Sequence, residues 1–180
     1  MTFSIRAERP EDISAISSAL ANAFAAEPVV VELVHALRAL SGGLPTVSLV
    51  AESGQGDIVG HVMLTSNWVD APDRLVDVYV LSPLGVRADW QSRGIGRALI
   101  AAAVAAAEEG GAPLVFLEGD PRYYSKHGFK AAGPLGFVRP SPRIPDPAFQ
   151  VPKLRSYTDD MTGPLVYRDA FWRLDCVGLR

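Results

Sequence analysis

Between Trp90 and Ile100 the chain reads Gln91-Ser92-Arg93-Gly94-Ile95-Gly96-Arg97-Ala98-Leu99, with two glycines where an apolar strand hands over to an alanine-rich helix. The first amides of a helix have no partner within it, and the helix dipole leaves that end partly positive. An anion of the pyrophosphate class suits such a turn. Glycine at 94 and 96 lets the main chain take positive φ angles and approach phosphate oxygens with no Cβ in the way. Arg93 and Arg97 add positive charge beside it. The same two glycines also suit an ordinary helix start, so their neighbours must decide. The Gly-Lys-Ser/Thr ending of a nucleotide-hydrolase P-loop is absent, and so are the third glycine and the acidic ribose ligand of a dinucleotide fingerprint.

Other reactive side chains are sparse. His35, His61 and His127 fall in a helix, a strand and a turn, with no spacing for a shared metal. His61 is placed either to enter an acceptor cleft or to sit in the core. Cys176 is the single cysteine, which excludes an intrachain disulfide and a cysteine-rich metal site and suits a reducing compartment. A net charge of −3 speaks against a general nucleic-acid binder. The N-terminus lacks a basic-then-apolar leader, and the longest apolar stretch, 95–107, is interrupted by Arg97 and too short to span a bilayer. These features predict a cytoplasmic protein with no nucleic-acid or membrane partner.

The elements that position the glycine turn follow from periodicity. With 180 residues, 48% apolar and 21% charged, the chain is expected to form one domain, 1–180, with a core over about 3–135 and a proline-rich packed loop plus C-terminal strand and tail over 136–180. Phe3, Ile5 and Ala7 alternate as a strand. Ile13, Ile16, Leu20 and Phe24 recur at helical spacing after Pro10, and a second helix starts near Pro28 and stops at Gly42-Gly43. Val47 to Leu64 reads as a hairpin around Ser53-Gly54-Gln55-Gly56-Asp57. A valine-rich strand spans about 75–86 with Pro83 inside it; proline lacks an amide donor, so the strand is bulged there. A helix to about Glu109 follows the glycine turn, then a buried strand at Leu114–Leu117 and a short helix over 121–126. Prolines at 134, 140, 142, 145, 147 and 152 argue against regular structure in that stretch. Leu165 to Phe171 reads as an edge strand with an aromatic tail.

This order of elements, with Gln91-Ser92-Arg93-Gly94-Ile95-Gly96, the preceding Leu81-Ser82-Pro83-Leu84-Gly85-Val86 and the following Tyr124-Ser125-Lys126-His127-Gly128-Phe129, resembles the Gcn5-related N-acetyltransferases, the GNAT family. A narrower resemblance, to the YhbS-like acetyltransferases, rests on Gly119-Asp120-Pro121-Arg122-Tyr123-Tyr124, on Ile144-Pro145-Asp146-Pro147-Ala148-Phe149 and on Tyr167-Arg168-Asp169-Ala170-Phe171. The resemblance implies an α/β (α+β) GNAT fold: a mixed central sheet, splayed at its bulged fourth strand, with flanking helices.

It also implies acetyl-CoA as co-substrate, no metal, and a small-molecule amine or protein amino group as acceptor, attacked directly in a ternary complex. The pyrophosphate would meet Gln91 and the amides of Arg93, Gly94, Ile95, Gly96, Arg97 and Ala98. Pantetheine would run beside Leu84 and Val86, one of whose amides would stabilise the oxyanion. Tyr124 matches the family tyrosine that protonates the departing thiolate, since a phenol of pKa about 10 stays protonated at neutral pH. Tyr123 is its rival, or packs in the cleft. Asp77 stands where the family often carries the base; the alternative is a solvated or salt-bridged structural Asp. Glu118 and Asp120 flank Gly119 at a strand end, where site residues gather, or serve as helix caps. Asp70, Asp73 and Asp77 either attract a cationic acceptor or face solvent. A non-catalytic acyl-CoA sensor is the alternative to the enzyme, and a homodimer using the 165–171 edge is a further expectation.

Overall fold

A computed structural model describes residues 2–178. Nine strands form one mixed sheet: β1 (Phe3–Ala7), β2 (Val47–Ser53), β3 (Ile58–Asp70), β4 (Leu75–Val86), β5 (Val115–Glu118), β6 (Lys130–Ala131), β7 (Phe137–Val138), β8 (Phe149–Val151) and β9 (Gly163–Val166). Their order is β1-β2-β3-β4-β5-β8-β6, with β9 paired to the far end of β3 and β7 paired to β9. The helices are α1 (Ile13–Ala23), α2 (Val29–Arg38), α3 (Ile95–Glu109), α4 (Pro121–Tyr124) and α5 (Asp169–Arg173).

Alternation along the strands divides the core into two layers. Val78 and Val80 of β4 and Phe116 of β5 join Ile16, Leu20, Leu33 and Leu37 on the α1–α2 side. Tyr79, Leu81, Val115 and Leu117 point the other way, against Leu99, Ile100 and Ala103 of α3. Full burial of each large apolar side chain contributes about 1.5–3 kcal/mol, so both faces of β4 and β5 are fastened before their ends separate.

The separation is the feature that matters for function. β5 runs parallel to β4, pairing only at Tyr79↔Val115 and Val80↔Phe116, and its next residues pair with β8 instead, at Leu117↔Gln150 and Glu118↔Phe149. β4 meanwhile keeps its partner β3, with the register passing from Leu64↔Leu81 to Val62↔Leu84, so Ser82 and Pro83 together oppose one residue. This is the bulge expected from Pro83.

Two expectations are corrected. The proline-rich stretch contains β8, because Pro145, Pro147 and Pro152 flank Phe149–Val151 and leave its own amides able to pair. The 165–171 segment is not an outer edge: β9 lies between β3 and β7, and Asp169–Arg173 turns into helix α5. Its edge is thus spent inside the sheet. Among the described residues no helix is long and apolar enough to cross a membrane.

Candidate active site

Two cavities open on the cleft between β4 and β5. One, of about 480 Å³, follows the glycine turn and is lined by Val86, Trp90, Gln91, Gly94, Gly96 and Arg97 among others. The second, of about 680 Å³, lies between the diverging strand ends, the α1–α2 link and the C-terminal segment. Leu84 and Tyr124 line both.

The turn has the backbone form of an anion cradle. Ser92 at φ 60° and Gly94 at φ 81° are both left-handed, which swings the chain from strand to helix within a few residues. Ala98 makes the first bond back into the helix, its N donating to Gly94 O at 3.0 Å. The amides of Ile95, Gly96 and Arg97 precede that bond and open the helix. Ala98 is therefore removed from the anion-binding amides expected above, because its N–H is committed to the helix. Gly96 is also not at positive φ; it is helical, and its missing side chain matters for space. A Cβ there would lie 2.4 Å from the Tyr123 hydroxyl. Gln91 braces the turn to the strand, its Nε2 donating to Val86 O at 3.2 Å. Arg93 donates to Asp89 O at 3.0 Å and lies over the Trp90 ring, while Arg97 lines the cavity.

The adjacent tyrosines have different surroundings. Asp120 caps α4 by accepting from Arg122 N at 2.9 Å, and Pro121 opens the first turn. Tyr123 is 40% exposed and lines only the turn-side cavity. Tyr124 is mostly buried, with its ring on Gly119, where a Cβ would come within 2.2 Å of Cε2. Burial, then the neighbouring Tyr123, pushes its phenol well above the ordinary range. It remains a proton donor at any physiological pH.

Of the carboxylates, Glu118 stands on the cleft. It ends β5, where the split from β4 turns it into the larger cavity. Its Oε1 accepts from Tyr167 Oη at 2.8 Å and its Oε2 from Gly178 N at 2.9 Å. Burial raises its pKa, and the two donors together with Arg143 offset only part of that rise. Each oxygen retains a second lone pair for a proton. Tyr167 in turn packs on Phe171, ring centroids 4.8 Å apart.

Asp77 lies elsewhere. It is exposed near the start of β4, opposite Trp68, lines neither cavity, and stands beside Gly43, where a Cβ would meet its Oδ1 at 3.0 Å. Asp70 and Asp73 are exposed at that same end, away from the bulge. The carboxylates that do line the larger cavity are Glu27, Glu118 and Asp175. His61 is outside the cleft too: it is fully buried on β3, with Nε2 2.8 Å from Ser48 Oγ, and burial lowers its pKa against the pull of Glu8. His127 lines the turn-side cavity. Among the described residues no cluster of three or more His, Cys, Asp or Glu is placed to hold a metal ion.

Sequence reasoning missed Tyr167, Phe171, Phe24 and Cys176 as cavity residues. The aromatic pair four residues apart at 167 and 171 was a signal for packing, but it did not say on what.

Comparison with known proteins places these features. Residues 45–131 match the acetyltransferase (GNAT) domain family. The Escherichia coli (strain K12) uncharacterized N-acetyltransferase YjhQ is 32% identical over 116 residues, which cover 64% of this chain and 63% of that protein, under two thirds of its length. The structure of the GNAT family N-acetyltransferase YhbS from Escherichia coli, in complex with CoA, is 30% identical, with a TM-score of 0.82 over 95% of this chain and 92% of that one. A GNAT family acetyltransferase from Brucella melitensis, in complex with acetyl-CoA, is 31% identical, with a TM-score of 0.74 over 94% and 98%.

Proposed function

This chain belongs to the Gcn5-related N-acetyltransferase (GNAT) family, and we propose that it moves an acetyl group from acetyl-CoA to an amine by direct attack within a ternary complex. The observation that carries the reading is the junction of the two cavities at Leu84 and Tyr124, across the split between β4 and β5.

The turn-side cavity suits the donor. The amides of Ile95, Gly96 and Arg97, with Arg93, Gly94 and Gln91 around them, offer the positive end that a pyrophosphate needs. Beyond Val80, β4 has β3 on one side and an open edge on the other, so Leu84 and Val86 are available to an extended pantetheine arm. Acetyl-CoA supplies an activated acyl group as a thioester. An amide of the same edge at Leu84 or Val86 is the candidate to stabilise the oxyanion.

Glu118 takes the role first considered for Asp77. Held by Tyr167 and Gly178, it accepts the proton from the acceptor nitrogen as that nitrogen bonds to the carbonyl carbon. The C–S bond breaks, and Tyr124 donates its phenolic proton to the sulfur. Proton removal and leaving-group protonation thus fall to two groups whose burial moves both pKa values upward. A raised carboxylate is a stronger base, and the phenol stays protonated beside the sulfur, available when the thiolate forms. A base in the cleft favours the enzyme over a silent acyl-CoA sensor. A cytoplasmic setting belongs to the same reading, supported by the single cysteine.

Release of CoA thiol from acetyl-CoA, followed across a panel of amines, amino acids and a lysine peptide with mass detection of the product, tests the proposal. Acceptor-dependent release is expected. Tight acetyl-CoA binding with no acceptor raising release above hydrolysis would return the sensor reading.

A further inference from the structure

The larger cavity also constrains what is acetylated, an inference that rests on the acetyl-transfer reading of the same cleft. Its walls are assembled from both core layers and from the segment between Tyr167 and Gly178. Phe24 and Leu33 close it from the α1–α2 side, Tyr167 and Phe171 from the C-terminal side, and the bulged part of β4 forms its floor. The volume, about 680 Å³, matches a small-molecule pocket.

Charge among the described lining residues has one sign. Glu27, Glu118 and Asp175 line the cavity, and among the described residues no lysine, arginine or histidine does. The nearby Arg143 is engaged at the rim, its Nη1 2.6 Å from Asp175 Oδ1. Glu27 is exposed at the mouth, whereas Glu118 lies at the inner end, bonded to Tyr167 and Gly178.

We infer that the acceptor is a primary amine on a compact apolar body, an alkylamine or arylalkylamine that bears no carboxylate or phosphate. Carboxylates along the cleft concentrate a cationic amine and focus it toward the innermost one; the amine attacks after losing its extra proton to solvent, and Glu118 takes the proton released as the C–N bond forms. The apolar remainder of such a molecule removes Phe24, Leu33 and Phe171 from water. An amino acid would instead carry its own carboxylate into a cavity that already holds Glu118, where no cation stands among the described lining residues and Arg143 at the rim is already paired with Asp175. A sugar amine would leave several hydroxyls against aromatic and aliphatic surface without partners.

The test compares phenethylamine with phenylalanine, which share ring and amine and differ by the carboxylate. Each is titrated into the protein by calorimetry with CoA present, and each is assayed for thiol release from acetyl-CoA. Phenethylamine is expected to bind about 100-fold more tightly, the size of effect an unpaired buried charge produces. In Glu27→Lys, a change at an exposed site, the ratio is expected to fall by roughly tenfold as phenylalanine gains a partner at the mouth. Equal behaviour of the two amines, whether both bind or neither does, overturns the inference. Thiol release with phenylalanine and not with phenethylamine also overturns it while leaving acetyl transfer intact. Selective phenethylamine binding without thiol release overturns acetyl transfer and leaves the assignment of the cavity standing.

Discussion

The turn-side cavity takes most of its lining from one continuous stretch, 84–97, whereas the larger cavity draws on the α1–α2 link, two strands that part company and the segment from Tyr167 to Gly178. The first is largely a backbone device: two left-handed residues, a helix start and a strand edge, with side chains such as Gln91 bracing the main chain. The second is a side-chain device, in which a carboxylate, two phenols and a set of apolar walls converge from distant segments. A backbone site binds what its kin bind, because any chain that makes the turn makes the amides. A side-chain site is free to differ, and this is where one member of the family acquires its own acceptor.

The sharpest way to break this division is at the two neighbouring tyrosines. Tyr124→Phe is expected to lower kcat by about 10²–10⁴ while acetyl-CoA affinity changes less than about twofold. Tyr123→Phe, on the turn side only, is expected to leave kcat within a few-fold. A comparable loss from Tyr123→Phe alone, in steady-state assays, would transfer the proton-donor role to Tyr123. Glu118→Gln keeps the shape and is expected to cost roughly 10²–10³ in kcat. A thermal melt distinguishes this from unfolding, since the variant gives up one hydrogen bond, about 0.5–1.5 kcal/mol.

A complementary change on the backbone side is Gly94→Glu. It forces a side chain onto φ 81° and puts a negative charge at the turn. Acetyl-CoA affinity by calorimetry is expected to weaken about 10–100-fold, with little change in phenethylamine binding. Loss of both together would mean that the two cavities are not separable.

Subtler effects come from positioning. Tyr167 donates to Glu118 and thereby lowers its pKa from the level that burial alone imposes. Activity requires the carboxylate, so it falls as pH drops through that raised pKa. In Tyr167→Phe the lowering is lost, and the acid limb of kcat is expected to move to higher pH. The amine's own ionisation is common to both proteins and cancels in the comparison. An unmoved limb would leave Tyr167 a packing residue. The smallest effect belongs to Asp77→Asn, expected to change kcat and stability within about twofold, as for an exposed site away from the cleft. A hundredfold loss there would restore Asp77 as the base and dismiss Glu118.

Much of the fold was legible because its signals are local. Alternation in β4, Pro83 at the bulge and the glycine turn before α3 each depend on residues within a few positions of one another, and each lies where the periodicity put it. Asp120 as a helix cap was readable for the same reason. Two misreadings are local, the helical φ of Gly96 and the Ala98 amide that bonds back to Gly94 O, and they leave the turn in place; the others are long-range. Phe149–Val151 is a strand because β5 leaves β4 and accepts it as a new partner, a choice that no count of prolines contains. Asp77 and Glu118 are comparable as letters, each a carboxylate on a strand of the central sheet. They differ because β4 begins in solvent and β5 ends in the split.

By itself, then, the sequence determined the donor half of this protein: helix start, left-handed glycine and strand edge are conformations written in neighbouring residues, and backbone amides follow wherever those conformations occur. Only the tertiary structure decided the acceptor half. Glu118 is held in the cleft by Tyr167, 49 residues away, and Gly178, 60 residues away, and partial burial there raises its pKa while those two donors offset part of the rise. Desolvation and convergence of side chains are properties of the packed chain, and they come into being when the C-terminal segment closes on the gap between two strands.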